Sequence, residues 1–251
     1  MLTALSAFAD NYIWLLDAPG GTIVVDPGDA APVLAAAEAG GELGAILITH
    51  HHADHIGGLA RLRSGFRLPC WGPEDARIPG PITVVGDGDR IEVCGLAFAV
   101  IEVPGHTRSH IAFHGEGLLL CGDTLFSLGC GRLFEGTPAQ MKASLDRLAA
   151  LPDETRVYCA HEYTEANAAF ALTVDPDNPD LQRRAAQVRR LRHEGRPTVP
   201  SKLAEEQACN PFLRSGEPAL MDAAAQRLGR YPGSAVESFA ALRTWKDGFR
   251  G

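Results

Sequence analysis

The chain has no run of eighteen or more apolar residues, so its sequence predicts no membrane-spanning helix. Its first ten residues lack the basic start of a secretory signal and are typical of a first β-strand. None of its six cysteines forms a C-x-x-C pair, which excludes the usual structural zinc patterns and favours buried, reduced thiols. A net charge of −8 excludes a broad cationic surface for nucleic acid. We therefore expect a cytoplasmic monomer with neither membrane nor nucleic acid as its partner.

Short apolar runs separated by glycine and proline turns dominate the first half of the sequence. They predict strands at Tyr12–Leu16, Thr22–Asp26, Ala45–Thr49, Leu96–Val103, Ile111–Phe113, Leu118–Cys121 and Thr155–Cys159. Helical patterns lie between and after them at Ala31–Ala39, Gly57–Arg63 and Thr137–Ala150. Two sets of strands with helices outside indicate a layered α/β domain.

The pattern changes after about Leu172. From there, helices are predicted at Asp180–Glu194, Ser201–Gln207, Ala219–Leu228 and Ser234–Gly248. We therefore predict two domains, an α/β catalytic domain over 1–172 and a small all-helical domain over 173–251.

The strongest chemical signal is a cluster of imidazoles that directly follows the strand Ala45–Thr49. The segment from His50 to His55 contains four histidines and Asp54, a set of donors that suits zinc, iron or manganese. Since such strand-to-helix turns present reactive groups at the edge of an α/β sheet, this segment predicts a metal site. The alternation of His50 and His52, with Asp54 and His55 turned toward a neighbouring position, favours two adjacent metals.

Three further candidates also come just after predicted strands. They are His106, Asp123 and His161. By residue chemistry, His50, His52 and His106 would hold one metal, and Asp54, His55 and His161 would hold the other. Asp123 can bridge both ions through its two carboxylate oxygens. We expect His51 to point away from the metals, and His110 and His114 to be structural.

The H-x-H-x-D-H run with later His, Asp and His resembles the metallo-β-lactamase superfamily. That resemblance implies an αββα sandwich with two divalent metal ions at one edge of its sheets, and it implies the ligand set just given. We expect zinc, with iron or manganese as alternatives. Asp26 matches a superfamily position that acts structurally near the metals.

Finer motifs resemble glyoxalase II, the hydroxyacylglutathione hydrolases, over nearly the whole chain. They are Gly122–Phe126, Gly129–Arg132, Phe134–Thr137, His161–Thr164, Thr198–Ser201 and Asn210–Arg214. The resemblance implies hydrolysis of S-D-lactoylglutathione to D-lactate and glutathione, a reaction of methylglyoxal detoxification.

The resemblance also implies the residues that contact the glutathione part of the substrate. Arg243 and Lys246 match a terminal R-x-x-K pair that binds the glycyl carboxylate, and their spacing places both cations on one helix face. Arg132 and Tyr163 match further contacts to the tripeptide. Phe134 departs from the family, where tyrosine is frequent, and it therefore lacks the hydroxyl contact.

For the mechanism, we expect a hydroxide that bridges the two metals to attack the thioester carbonyl. Asp54 is both a metal ligand and the candidate catalytic residue that orients this hydroxide. No G-x-S-x-G elbow is present, so a serine nucleophile is not supported. The alternative is a mononuclear iron persulfide dioxygenase of the same superfamily, which would lack the helical domain with its Arg243–Lys246 pair. A β-lactamase and a non-catalytic metal-binding module are weaker alternatives.

Overall fold

Strands fill the first half of the chain and helices its last third. The structure is a computed structural model that describes residues 2–250. Its strands are β1 Leu2–Ala7, β2 Asn11–Leu16, β3 Thr22–Val25, β4 Leu43–Leu47, β5 Cys70–Gly72, β6 Thr83–Val84, β7 Arg90–Val93, β8 Leu96–Glu102, β9 Ile111–Gly115, β10 Leu118–Gly122, β11 Leu125–Phe126, β12 Gly129–Cys130, β13 Arg156–Cys159 and β14 Ser201–Lys202. Its helices are α1 Ala30–Glu38, α2 Ala53–Ile56, α3 Leu59–Gly65, α4 Pro138–Ala149, α5 Thr164–Val174, α6 Pro179–His193, α7 Leu203–Cys209, α8 Pro218–Leu228 and α9 Ala235–Asp247.

These elements form two compact units that interleave along the sequence. The first unit comprises the described residues up to Glu102, together with Ser109–Gly122 and Tyr158–His161. The second unit comprises Val103–Arg108, Asp123–Val157 and the described residues from Glu162 onward. Strand β13 is divided between the units. Over residues 2–250, no helix combines the length and the apolar character that crossing a membrane requires.

The first sheet, with strand order β1-β2-β3-β4-β5-β6, belongs to the first unit. Strands β1 to β3 pair antiparallel, and β3 to β6 pair parallel. Side chains from α1 and α3, among them Val33, Leu59 and Leu62, pack with Ile46 and Ile48 in its core. Residues 45–48 are completely buried, as expected for a central strand that is covered on both faces.

Strands β7 to β10 form antiparallel hairpins in the second sheet. Two-residue turns, Cys94-Gly95 and Glu116-Gly117, connect β7 to β8 and β9 to β10, and all four residues have positive φ. Such backbone angles match the right-handed twist of the strands they join. Strand β8 buries Phe98 and Val100 and leaves the residues beside them partly or fully exposed, which indicates that this sheet has one covered face.

The second unit is mainly helical. Helices α5, α6 and α7 share an apolar core that includes Ala171, Leu181 and Cys209. A second group of rings joins them, with Phe170 stacked on Phe212 at 6.0 Å and Phe212 against Phe239 at 5.8 Å.

Six short strands, β5, β6, β7, β11, β12 and β14, were not predicted, and several helices also differ from the sequence prediction. Helix α5 was not predicted, because its alanines and buried polar residues leave no clear apolar stripe along one face. Leu172, the last residue of the predicted first domain, lies inside it. The helix predicted at Gly57–Arg63 is present as α3, which begins two residues later, and a separate short helix, α2, precedes it. A Cβ atom at Gly58 would lie 2.6 Å from the Pro27 carbonyl oxygen, so this residue, between the two helices, passes too close to Pro27 for a side chain.

Helix α4 begins with a capping box that can be tested by substitution. The Thr137 side chain accepts a hydrogen bond from the Gln140 amide, and the Gln140 side chain accepts one from the Thr137 amide. We expect Thr137→Ala to lower the free energy of unfolding by about 1 kcal/mol. Thr137→Ser keeps the acceptor and should stay near the parent in the same denaturant titration. Equal losses for both variants would show that the cap contributes nothing.

Candidate metal centre

A buried carboxylate, Asp26, fixes the turn that carries the imidazole cluster. Its Oδ1 accepts a hydrogen bond from the Thr49 amide at 2.8 Å, and its Oδ2 accepts one from the Thr49 hydroxyl at 2.7 Å. The same Oδ2 lies 3.0 Å from His55 Nδ1. Asp26 has a φ of 50°, a left-handed conformation that is uncommon outside glycine. This contact to His55 is the structural role near the candidate ligands that the resemblance implied.

The histidines of the segment from His50 to Asp54 contact one another and neighbouring side chains. The imidazoles of His50 and His52 lie 4.7 Å apart between ring centroids, and His50 stacks on His110 at 4.5 Å. His51 lies against Asp75, with 3.4 Å between Nδ1 and Oδ2. At Gly28, a Cβ atom would lie 1.8 Å from the Asp54 carbonyl oxygen, so glycine is required where the chain passes this turn.

Asp54, His55 and His161 form one candidate metal-binding group within the first unit. Their ligand atoms all lie within 4.8 Å of one another. Asp54 Oδ2 is 3.5 Å from His55 Nε2 and 3.4 Å from His161 Nε2. Donors at ~2.1 Å from a tetrahedral ion lie about 3.4 Å apart, so the spacing of these atoms fits zinc or a similar divalent ion. Two imidazoles and a carboxylate are also donors that such ions prefer.

Asp10 and Asn11, which were not predicted from the sequence, form side-chain contacts with His161 and Asp54 of this group. His161 Nδ1 lies 2.8 Å from Asp10 Oδ1, and Asn11 Nδ2 donates to Asp54 Oδ2 at 3.0 Å. Asn11 also forms an isolated β-bridge with His161. The available signal was a polar pair at the start of the fully buried strand β2, with Asp10 directly before it and Asn11 as its first residue, since such residues need partners where the chain enters the core.

The Asp54 carboxyl is held in its charged form by these neighbours. Burial opposes its ionisation, but hydrogen bonds with His161, His55 and Asn11, together with the charge of His55, outweigh that effect. The pKa of Asp54 therefore lies well below its usual range.

Two further candidate ligands, His106 and Asp123, lie together in the second unit. His106 Nε2 is 3.3 Å from Asp123 Oδ2, and His106 Nδ1 is 2.9 Å from the Arg132 carbonyl oxygen. Since a carbonyl only accepts, Nδ1 carries the proton and Nε2 is left to bind an ion. Phe134 contacts His106 edge-on at 5.3 Å and is 63% exposed.

The predicted glutathione contacts on α9 also lie in the second unit. Arg243 is buried, its Nη1 donates to the Cys130 carbonyl at 2.8 Å, and its Nη2 donates to Asp247 at 3.0 Å. Arg132 is exposed, with Nε 3.7 Å from the same Asp247 oxygen. Lys246 Nζ donates to the Ala166 carbonyl at 2.9 Å. We call Arg132, Arg243, Lys246 and Asp247 the cationic cluster.

The ammonium of Lys246 is destabilised within the cationic cluster. Burial is the main cause, repulsion from Arg243 and Arg132 adds to it, and Asp247 opposes it. Together they lower the pKa of Lys246 to about 8. The last predicted contact, Tyr163, packs edge-on against Phe126 at 5.2 Å and keeps partial exposure.

Comparison with known proteins agrees with this fold. The family model of the metallo-beta-lactamase superfamily matches residues 8–76 and 66–161. Over 99% of its length, the chain aligns with all of a solved structure, ETHE1 from Myxococcus xanthus, at 25% identity and a TM-score of 0.66. TTHA1623, solved in a di-iron-bound form, is 31% identical with a TM-score of 0.55, and the match covers 64% of this chain and 91% of that one. The predicted fold class, the α/β sandwich of this superfamily with a helical C-terminal region, is thereby confirmed.

The C-terminal region and the full-length relatives identify a narrower family within the superfamily. The family model described as hydroxyacylglutathione hydrolase C-terminus matches residues 162–249. A curated hydroxyacylglutathione hydrolase from Xanthomonas campestris pv. campestris (strain B100) is 57% identical over 252 residues, which cover 99% of each chain. The chain therefore belongs to the hydroxyacylglutathione hydrolase family of the metallo-β-lactamase superfamily. Membership and the His/Asp group together imply divalent metal ions.

The support that Asp10 gives to His161 can be tested by metal content. We expect Asp10→Ala to weaken binding of one ion by roughly 10- to 100-fold, because His161 loses the partner that orients its ring. Asp10→Asn keeps an acceptor oxygen and should retain more of the ion. The measurement is metal per chain by atomic spectroscopy after dialysis against a graded chelator. Equal retention by Asp10→Ala and the parent would rule out this role.

Proposed function

We propose that the chain hydrolyses S-D-lactoylglutathione to D-lactate and glutathione, as a metal-dependent thioester hydrolase of methylglyoxal detoxification. The observation that carries this proposal is the 57% identity, over 99% of both chains, to a protein named hydroxyacylglutathione hydrolase. The helical region that matches the C-terminal family model supports it, because that region contains the predicted glutathione contacts Arg243 and Lys246.

We assign two divalent ions to the candidate ligands. His50, His52 and His106 would hold one ion, Asp54, His55 and His161 would hold the other, and Asp123 would be shared by both. The spacing of the Asp54 group and the short distance between His106 and Asp123 support this assignment. We propose zinc as the metal. Iron and manganese are alternatives, and the di-iron form of TTHA1623 supports iron.

The ions and Asp54 have different roles in the proposed reaction. When bound, the ions supply Lewis acidity toward the thioester carbonyl and make a water molecule acidic enough to act as a nucleophile near neutral pH. Asp54, anionic and held by Asn11, orients that nucleophile through its carboxylate. The leaving thiolate has a low pKa compared with an alkoxide, so no strong general acid is required.

Residues of the second unit bind the tripeptide. We propose that the cations Arg132, Arg243 and Lys246 attract the glycyl carboxylate of glutathione, and that the partly exposed Tyr163 contacts the peptide. Phe134 offers an exposed ring at the position where the family often has tyrosine, so it contributes apolar contact only.

Three broader assignments belong to the same proposal. Residues 1–172 form the catalytic domain, and 173–251 form the glutathione-binding domain. The chain acts as a monomer in the cytoplasm, on a small molecule and without nucleic acid or membrane. The six free cysteines fit a reducing compartment.

The first test is turnover of S-D-lactoylglutathione by purified, metal-quantified protein. We expect loss of thioester that stops when a chelator removes the ions, with no uptake of oxygen. A protein that retains two ions but leaves the thioester intact would contradict the substrate assignment. Oxygen uptake with glutathione persulfide would then support the persulfide dioxygenase alternative.

The second test uses the lowered pKa of Lys246. Because a carboxylate is attracted by the ammonium and not by the amine, we expect KM to rise as the pH passes about 8. The rise should be roughly three- to tenfold from about pH 7 to about pH 9. In Lys246→Arg the guanidinium stays charged, so the profile should flatten over this range.

The Lys246→Arg profile also corrects for titration of the substrate itself, which occurs equally with both proteins. Parallel rises in KM for the parent and for Lys246→Arg would show that Lys246 does not bind the substrate.

A further inference from the structure

Asp247 ends α9 and lies among the cations that would bind the substrate carboxylate. One of its oxygens, Oδ1, is 3.0 Å from Arg243 Nη2 and 3.7 Å from Arg132 Nε. Its side chain is 44% exposed, whereas that of Arg243 is 6% exposed. The protein therefore presents a carboxylate of its own, partly open to solvent, to two of the three cations.

The contacts of Arg243 limit how a ligand could reach it. Its Nη1 donates to the Cys130 carbonyl, its Nη2 donates to Asp247, and its Cζ lies 5.0 Å from the centroid of the Phe212 ring. Its Nε is buried and has no hydrogen-bond partner in the described part of the chain. The Cys130 carbonyl and the Phe212 ring belong to buried residues, whereas Asp247 is partly exposed at the surface. A ligand carboxylate can therefore pair with Arg243 at Nη2 if Asp247 gives way.

The charge balance of the cationic cluster leaves room for a second anion. The cluster contains three cations and one carboxylate, and repulsion from Arg132 and Arg243 acts on Lys246 more strongly than the attraction of Asp247. A second carboxylate that binds to the cluster is therefore stabilised by electrostatic attraction. Asp247 reduces this stabilisation, because it already neutralises part of the positive charge of the cluster.

We propose that Asp247 competes with the glycyl carboxylate of glutathione for Arg243 and Arg132. Glutathione must therefore displace Asp247 from both arginines when it binds. This inference rests on the proposed function for the identity of the ligand. It differs from a role in which Asp247 only aligns Arg243. A competitor weakens ligand binding, so its removal tightens binding. An aligning residue strengthens binding, so its removal loosens it.

The test is calorimetric titration of the metal-loaded protein with glutathione, in the parent and in Asp247→Asn. The amide keeps the shape of the side chain and removes its charge. We expect the Kd to fall by roughly two- to fivefold, the size of one exposed ion pair. The matched control is Asp222→Asn, which removes the same charge from an exposed position on the neighbouring helix α8 and should leave the Kd unchanged.

A second ligand tests whether the change in Kd depends on the glycyl carboxylate. Glutathione amidated at its glycine lacks the competing carboxylate, so the parent and Asp247→Asn should bind it equally. A gain that persists with the amide would overturn the proposal, because the displaced contact would not be the carboxylate contact. An unchanged or higher Kd for glutathione in Asp247→Asn would overturn it as well.

Turnover of S-D-lactoylglutathione, measured on the same preparations, separates this inference from the proposed function. Turnover by the parent with no tightening in Asp247→Asn rejects the competitor and keeps the hydrolase. Tightening without turnover keeps the competitor and rejects the hydrolase. If neither protein binds glutathione, the competitor is rejected, and turnover of S-D-lactoylglutathione by the parent alone decides the hydrolase.

Discussion

The candidate metal centre depends on one buried carboxylate, Asp26. A buried anion is costly unless its oxygens are fully hydrogen-bonded, and here the Thr49 amide, the Thr49 hydroxyl and His55 supply the bonds. Strands β3 and β4 pair directly before these residues, with Val25 opposite Leu47. The sheet register thus brings Asp26 to the start of the imidazole turn. Because the carboxylate accepts from His55 Nδ1, the Nε2 atom of that ring is presented to Asp54.

His161 repeats this arrangement on the other side of Asp54. Asp10 accepts from its Nδ1 and leaves Nε2 facing the Asp54 carboxylate. Two acidic residues thus fix two imidazoles through Nδ1, and the Nε2 atoms of both rings face Asp54. Contacts of this kind orient ligands and raise their basicity. The donor spacing that fits a divalent ion therefore follows from protein contacts alone, before any ion contributes its own attraction.

The sequence predicted the parts of the site that depend on strand ends and missed those that depend on packing. Apolar runs located β4, β8, β10 and β13, and a polar residue after each of them is a candidate ligand. Asp10 and Asn11 were missed, because their partners lie about 150 and 43 residues away and no local pattern indicates them. The spacing of Arg243 and Lys246 placed both on one side of α9, but it gave no sign that Arg243 is buried against Cys130. Burial of a cation depends on neighbours from other helices and loops.

Under the proposed function, the cationic cluster is a site for an anion that already contains an anion, Asp247. The substrate and the product glutathione share the same glycyl carboxylate, so attraction to that group stabilises both states equally. Uniform binding of this kind lowers KM without raising kcat, and a product that is held too firmly slows each cycle. Asp247 reduces the attraction of Arg132 and Arg243 for both ligands alike, and burial does the same for Lys246 by lowering its pKa. An acidic chain with net charge −8 can therefore collect an anionic tripeptide at one local cluster and still release it.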